Sequence, residues 1–202
     1  MRRMHRILGR ASKQAFGITE PILEKMLEAT AKNLRGIRDR ALLSLAYDSM
    51  CRRSEITSLR VLDIQIDKLE NSTKLKVRLR KSKTDQELLG KWIFLSKRSA
   101  DAITLWIEQA KIIDGFLFRG MNNAFEISRD IQSSQINRIY KRLAKDAKLP
   151  DEMIDRISGH SIRVGAAQDL LKSGASMPMI MNRGRWSKPD IVMRYLEETY
   201  AQ

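Results

Sequence analysis

The chain has 202 residues, with 38 Lys and Arg against 24 Asp and Glu, giving a formal net charge of +14. That length suits one domain, or two small ones, with a real core, and a hydrophobic share of 43% argues against a disordered chain. No run nears the roughly 18 apolar residues of a membrane span, and the lone Cys51 beside only His5 and His160 excludes an intramolecular disulfide and a zinc finger.

Met1 to Phe16 carries Arg2, Arg3, Arg6, Arg10 and Lys13 and no acid. It lacks the apolar centre of a secretory signal, and residues 1–18 read as a basic arm or an interdomain linker remnant. Thr19 and Pro21 predict a helix start, with Ile22, Leu23, Met26 and Leu27 at helical spacing behind them. A second helix is expected after Gly36, with Leu42, Leu45, Ala46 and Met50 on its apolar stripe and Arg38, Arg40 and Asp48 off it. Ser54 is a fitting cap for a short third helix that holds Ile56 and Leu59. The period then changes. Leu75, Val77 and Leu79 alternate with Lys74, Lys76, Arg78 and Arg80, which predicts a half-buried strand with a basic outer face. After the polar turn Lys81 to Asp85, Trp92 and Phe94 alternate again, so a small antiparallel sheet is expected. Helices follow at Ser99 to Ala110 and Ser133 to Ala147, with a short strand expected at Phe116 to Phe118. Short helices between Gly159, Gly174 and Gly184 fill the rest. The fold class is mainly α with one small antiparallel β-sheet.

Charge is unevenly spread: residues 1–100 hold 23 basic and 11 acidic side chains, or +12, and the remainder 15 and 13, or +2. One polyanion-facing surface follows more readily than a uniformly solvated shell, and nucleic acid is the favoured partner, although charge alone does not tell DNA from RNA or acidic lipid. The single cysteine fits a reducing, cytoplasmic setting.

Three constellations carry chemistry. In Ser158-Gly159-His160-Ser161-Ile162-Arg163-Val164-Gly165-Ala166-Ala167, His160 and Arg163 lie three apart at a helix N-terminus, where free N–H groups already attract anions. Taken alone, a satisfied histidine and an arginine paired with a carboxylate explain the same residues equally well. Arg52, with Glu55 three residues on, sits past a strongly apolar helix, where a carboxylate can hold a guanidinium fork ready for phosphate; a surface ion pair is the plainer account. In Gly184-Arg185-Trp186 through Pro189 to Leu196, Trp186 offers an indole N–H and Tyr195 a hydroxyl, although ordinary aromatic packing would also place them there. Lys83, in the polar turn, is a mobile cation and by itself only a solvated tip.

Together these residues resemble the catalytic set of the tyrosine recombinases, or phage integrases. The likeness runs from about Asp39 to Leu196 and makes residues 19–202 the catalytic domain. It implies phosphoryl transfer in DNA with neither metal nor other cofactor. Tyr195 would be the nucleophile, Arg52 and Arg163 the phosphate clamp, and Lys83 the acid for the leaving oxygen. His160 would assist proton transfer, Trp186 support the pocket, and Glu55 orient the arginine and histidine side chains. Tyr200 rivals Tyr195, and Lys81 rivals Lys83. Family members usually add an N-terminal clamp domain and a longer C-terminal helix that docks on a neighbouring protomer, so self-association into a tetrameric synapse is expected of a longer protein. A binding protein that retains the fold and a type IB topoisomerase-like nicking enzyme are the alternatives.

Overall fold

The computed structural model describes residues 15–69, 72–80 and 90–200. Helix α1, Glu20–Glu28, begins at an extended Thr19 with Pro21 in its first turn, where a fixed φ is already helical. The Thr19 side chain makes no capping bond. The exposed amide is met from far along the chain instead: Glu20 N donates to Asp169 Oδ2 at 2.7 Å. Helix α2, Leu34–Ser49, starts earlier than its glycine predicts, because the Asn33 side chain caps it by accepting from Gly36 N at 3.1 Å. Arg38 departs from its expected solvent side. It is buried and donates to Asp39 at 2.7 Å and to the Arg119 carbonyl at 3.2 Å, so α2 is covered on nearly every face.

Helix α2 ends at Met50 in the left-handed region (φ 49°, ψ 36°), which turns the chain sharply into α3, Arg53–Ser58. Ser54 is exposed inside that helix rather than capping it; Arg52 holds the N-cap position. After a single 3₁₀ turn, Val61–Asp63, the sheet follows as β1 Ile64–Leu69, β2 Ser72–Leu79 and β3 Lys91–Phe94, antiparallel in the order β1-β2-β3. Leu75, Val77 and Leu79 face the core as the alternation predicts. Strand β1 was not expected. On β3 the inward residue is Ile93, while Trp92 and Phe94 stand exposed, with the cations of Lys76 and Arg78 over the Trp92 ring at 5.2 and 6.0 Å.

Helix α4, Lys97–Gln109, buries Ile103 and Trp106, whose indole donates to the Leu117 carbonyl at 2.8 Å. Phe116 makes only an isolated bridge to Arg60 rather than a strand. Helix α5, Ser133–Asp146, presents Ile136, Ile139, Tyr140 and Leu143 to the core. Then come α6 Asp151–Arg156, α7 Ser161–Lys172, α8 Met177–Gly184 and α9 Pro189–Tyr200. The mainly α fold with one small antiparallel sheet is as expected. Of the basic arm, residues 1–14 lie outside the described residues; Phe16 N bonds the Arg156 carbonyl and Ile18 is fully buried.

Two apolar clusters result. The larger binds α1 to α5 and the sheet. The smaller joins Met50, Ala166, Ala167 and Ile180 to Val192 and Leu196, and it seats the last helix. Val192 and Leu196 are one helical turn apart and fully buried, which contributes roughly 3–6 kcal/mol before ordering costs. Ile191, on the same helix, is exposed.

Candidate active site

Four element ends meet at this smaller cluster: the C-terminus of α2, the N-termini of α3 and α7, and the C-terminus of α8. Helix α7 packs closely on the Ile18–Thr19 backbone because Gly165 has no side chain; a Cβ there would lie 1.9 Å from the Ile18 carbonyl oxygen. From its first turn Arg163 enters the interior, 3% exposed. Its guanidinium donates to the Met50 carbonyl and, at 2.9 Å, to the Gly184 carbonyl, and it lies 4.7 Å from the Trp186 ring centroid. These acceptors are the unpaired carbonyls at two helix C-termini, where a cation is favoured by the dipole as well. The expected alternative, a carboxylate partner for Arg163, is not what holds it. Burial first, then the cations of Arg52 and Arg185, push Arg163 down to about 10, so it remains charged at neutral pH.

Arg52 and Glu55 are joined as their spacing predicts. The Arg52 amide donates to Glu55 Oε2 at 2.7 Å and its Nη1 to Oε1 at 2.8 Å, so one carboxylate caps α3 and grips the guanidinium. Arg52 Nη2 donates to the Arg185 carbonyl at 3.1 Å. The Arg52 side chain is 25% exposed and has N–H groups beyond these two bonds, which leaves it able to meet an anion from solvent. Burial would raise the Glu55 carboxyl, but the charges of Arg185 and Arg52 and the Arg52 amide outweigh it and hold the group below the usual carboxylate range. The described hydrogen bonds to the Glu55 carboxylate come from Arg52 and Arg185, so the expected orienting of His160 by Glu55 is not among them.

His160 stands exposed at the N-cap of α7, and its amide bonds Ser158 Oγ at 3.2 Å. Crowding by the protein, then the cations of Arg163, Arg53 and Arg52, hold its imidazole below the ordinary value, which favours the neutral, proton-accepting form. The Trp186 and Tyr195 rings are 6.0 Å apart and tilted by 49°. Tyr195 is half-buried, and its backbone carbonyl accepts from Gln168 Nε2 at 3.1 Å, which ties α9 to α7. Trp186 packs flush on Gly184, where a Cβ would stand 1.9 Å from the indole. Arg52 thus contacts Glu55, and Arg163 contacts Trp186, which contacts Tyr195; Arg185, bonded to Glu55 and to the Met50 carbonyl that Arg163 also uses, joins the two groups, with His160 beside Arg163. Lys83 and its rival Lys81 lie outside the described residues, as does the side chain of Tyr200.

Neither motif nor spacing singles out Arg185. Glycine is the usual left-handed residue past a helix C-terminus, yet Gly184 remains helical and Arg185 adopts φ 56°, ψ 48°. Its guanidinium is only 7% exposed and donates to the Ser49 carbonyl at 3.0 Å, the Met50 carbonyl at 3.1 Å and Glu55 Oε2 at 2.8 Å. Cys51 is buried beneath this cluster, and its thiol is pushed up to about 11 chiefly by burial, which leaves it no nucleophile.

The chain is similar to recombinase cre of Escherichia phage P1, 29% identical over 203 residues, an alignment covering 93% of this chain and 58% of that protein. It is 26% identical over 164 residues to a probable integrase/recombinase of Methanocaldococcus jannaschii, covering 79% of this chain and 44% of that one. The chain therefore spans about half the length of these curated relatives. Among solved structures, the XerA recombinase superposes with a TM-score of 0.68 at 19% identity, covering 96% of this chain and 65% of that one. XerH bound to its difH substrate gives 0.66 at 17% identity over 94% and 53%. Residues 18–202 match the phage integrase family, and the chain belongs to that family.

Proposed function

We propose that the chain is the catalytic part of a site-specific DNA recombinase or integrase, which cleaves and rejoins duplex DNA through a 3′-phosphotyrosine. The observation that carries this is the junction of helix ends where Arg52 and Arg163 are pre-positioned by backbone carbonyls and Glu55, within a chain of contacts that reaches Tyr195 through Trp186. Solved relatives include XerH on its difH substrate and a transposon Tn1549 integrase on circular-intermediate DNA, which supports duplex DNA as this chain's partner.

In this reaction the Tyr195 hydroxyl oxygen attacks the scissile phosphorus. Its proton passes toward His160, whose imidazole is held in the neutral form that can accept it. The bond from phosphorus to the 5′-oxygen breaks, and that oxygen takes a proton from Lys83 and leaves as a 5′-hydroxyl. Charge gathers on the non-bridging oxygens during the step. Arg52 meets it from the solvent side, and the buried charge of Arg163 acts from beneath, where the low dielectric strengthens it. Fixed guanidiniums cost no reorganisation as the charge develops. The covalent link conserves the phosphodiester energy, so a 5′-hydroxyl from another strand reverses the step without ATP. A tetrameric synapse belongs to the longer protein that such a catalytic part serves.

The test is to incubate the chain with a library of nicked duplexes bearing a 5′-bridging phosphorothiolate and to look for a denaturant-resistant protein–DNA band. Adduct is expected from the wild-type chain and none from Tyr195→Phe, which lacks only the nucleophilic oxygen. Adduct formed equally by Tyr195→Phe would remove Tyr195 from the role.

A further inference from the structure

Arg185 combines two unfavourable features in one residue. A non-glycine side chain holds left-handed backbone, and Arg185 Nε is buried with no partner among the described residues. Such strain persists only where surrounding contacts over-determine it. Those contacts converge on one place. The Arg185 carbonyl accepts from Arg52 Nη2 at 3.1 Å, and its guanidinium holds the Glu55 oxygen that also caps the Arg52 amide. Two further bonds, to the Ser49 and Met50 carbonyls, fix the guanidinium to the end of α2, where Arg163 also docks.

We propose that Arg185 is a positioning residue for the phosphate-binding arginine Arg52: its guanidinium fixes Glu55, and Glu55 in turn fixes the Arg52 fork. The inference rests on the recombinase reading for its catalytic consequence, though not for its structural content. Glu55 has two oxygens and three donors from two arginines. Without Arg185, Oε2 is held only by the Arg52 amide, and the carboxylate is free to rotate away from the guanidinium. The side chain also brings a third cation to a junction that holds one carboxylate, so the pocket keeps a net positive charge after Glu55 is satisfied.

Arg185→Gly is the informative variant, because glycine suits φ 56° and removes the side chain without straining the turn. With the phosphorothiolate library under saturating protein, adduct formation is expected to slow about 10- to 100-fold, the usual scale for residues that orient a ligand-binding group. The lost bonds to the Ser49 and Met50 carbonyls and to Glu55 should also lower the melting temperature, so adduct formation is read well below the variant's melting point. In a Glu55→Gln background the same substitution should cost less than about threefold, because both act through one carboxylate. On the free protein, nitrogen-15 NMR of the Arg52 side chain should show hindered rotation of the guanidinium in wild type and averaging in Arg185→Gly. Wild-type cleavage by Arg185→Gly, full additivity with Glu55→Gln, or an unchanged Arg52 spectrum would overturn the proposal. If the wild-type chain formed no adduct at all, the recombinase reading would fail, and the Arg52 spectrum would still decide the positioning role.

Discussion

Replacing Arg163 with lysine preserves a positive charge and tests whether the geometry of the guanidinium matters. The side chain bridges the carbonyls of Met50 and Gly184, which lie on different helices, and stacks on Trp186 at 4.7 Å. A lysine ammonium on a shorter, pointlike head cannot bridge both carbonyls; Arg185 still serves Met50, but the Gly184 carbonyl loses its donor, at about 1–3 kcal/mol. Losing the flat stacking on the indole adds about 1 kcal/mol. The sum, about 2–4 kcal/mol, should lower the melting temperature by about 4–16 °C for a chain of this size. Cleavage should fall further than stability implies, by about 10²–10³-fold, because the cation is no longer held by both carbonyls at a fixed place beneath the developing charge. Circular-dichroism melting and single-turnover adduct formation, both read well below the variant's melting point, separate the two effects. A melting temperature within about 2 °C of wild type would refute the claim that Arg163 clamps the two helix ends.

Two other perturbations bear on the same frame. Gly165→Ala would place a methyl group 1.9 Å from the Ile18 carbonyl oxygen, a backbone atom that cannot swing aside; separating α7 from this segment should destabilise the chain by about 1–3 kcal/mol, visible in a thermal melt. His160 has a folded pKa held below its ordinary 6.5, so the unfolded chain takes up a proton first as pH falls. The stability it contributes is present above 6.5 and is lost on descending from there to the folded value, and His160→Gln should flatten melting temperature against pH across that window. The same loss of neutral imidazole predicts an acid limb in the cleavage rate below 6.5, absent from the variant.

Elements with a clean period were legible in the sequence. Helix α5 shows its apolar stripe at Ile136, Ile139, Tyr140 and Leu143, and β2 its alternation at Leu75, Val77 and Leu79, because both bury one face against one layer. Helix α2 misled in its details, since it is buried nearly all round and its start is set by a short side chain, Asn33, rather than by the glycine. Strand β1 escaped notice because Asp67 and Lys68 interrupt a two-isoleucine alternation. The cap of α1 was unreadable for a different reason: Asp169, 149 residues away, serves Glu20 N and also accepts from the Tyr47 hydroxyl at 2.6 Å. No local pattern records a cap supplied from another helix.

The candidate site divides along the same line. The Arg52–Glu55 pair lies within one helical turn, so spacing alone announces it. The partners of Arg163 are carbonyl oxygens, which every residue has and which no sequence marks. What selects Met50 and Gly184 is that α2 and α8 both end there, so that unpaired carbonyls point inward and a buried cation is the economical way to satisfy them. The arginines are therefore held by the ends of the fold rather than by carboxylates alone. Had three carboxylates neutralised Arg52, Arg163 and Arg185, the junction would carry no field for an incoming phosphate. With Glu55 the one acidic partner among their described hydrogen bonds and the remaining acceptors neutral, the charges of three guanidiniums exceed that of one carboxylate by two. A phosphodiester entering this junction meets that excess, and the excess matters most as negative charge accumulates at phosphorus.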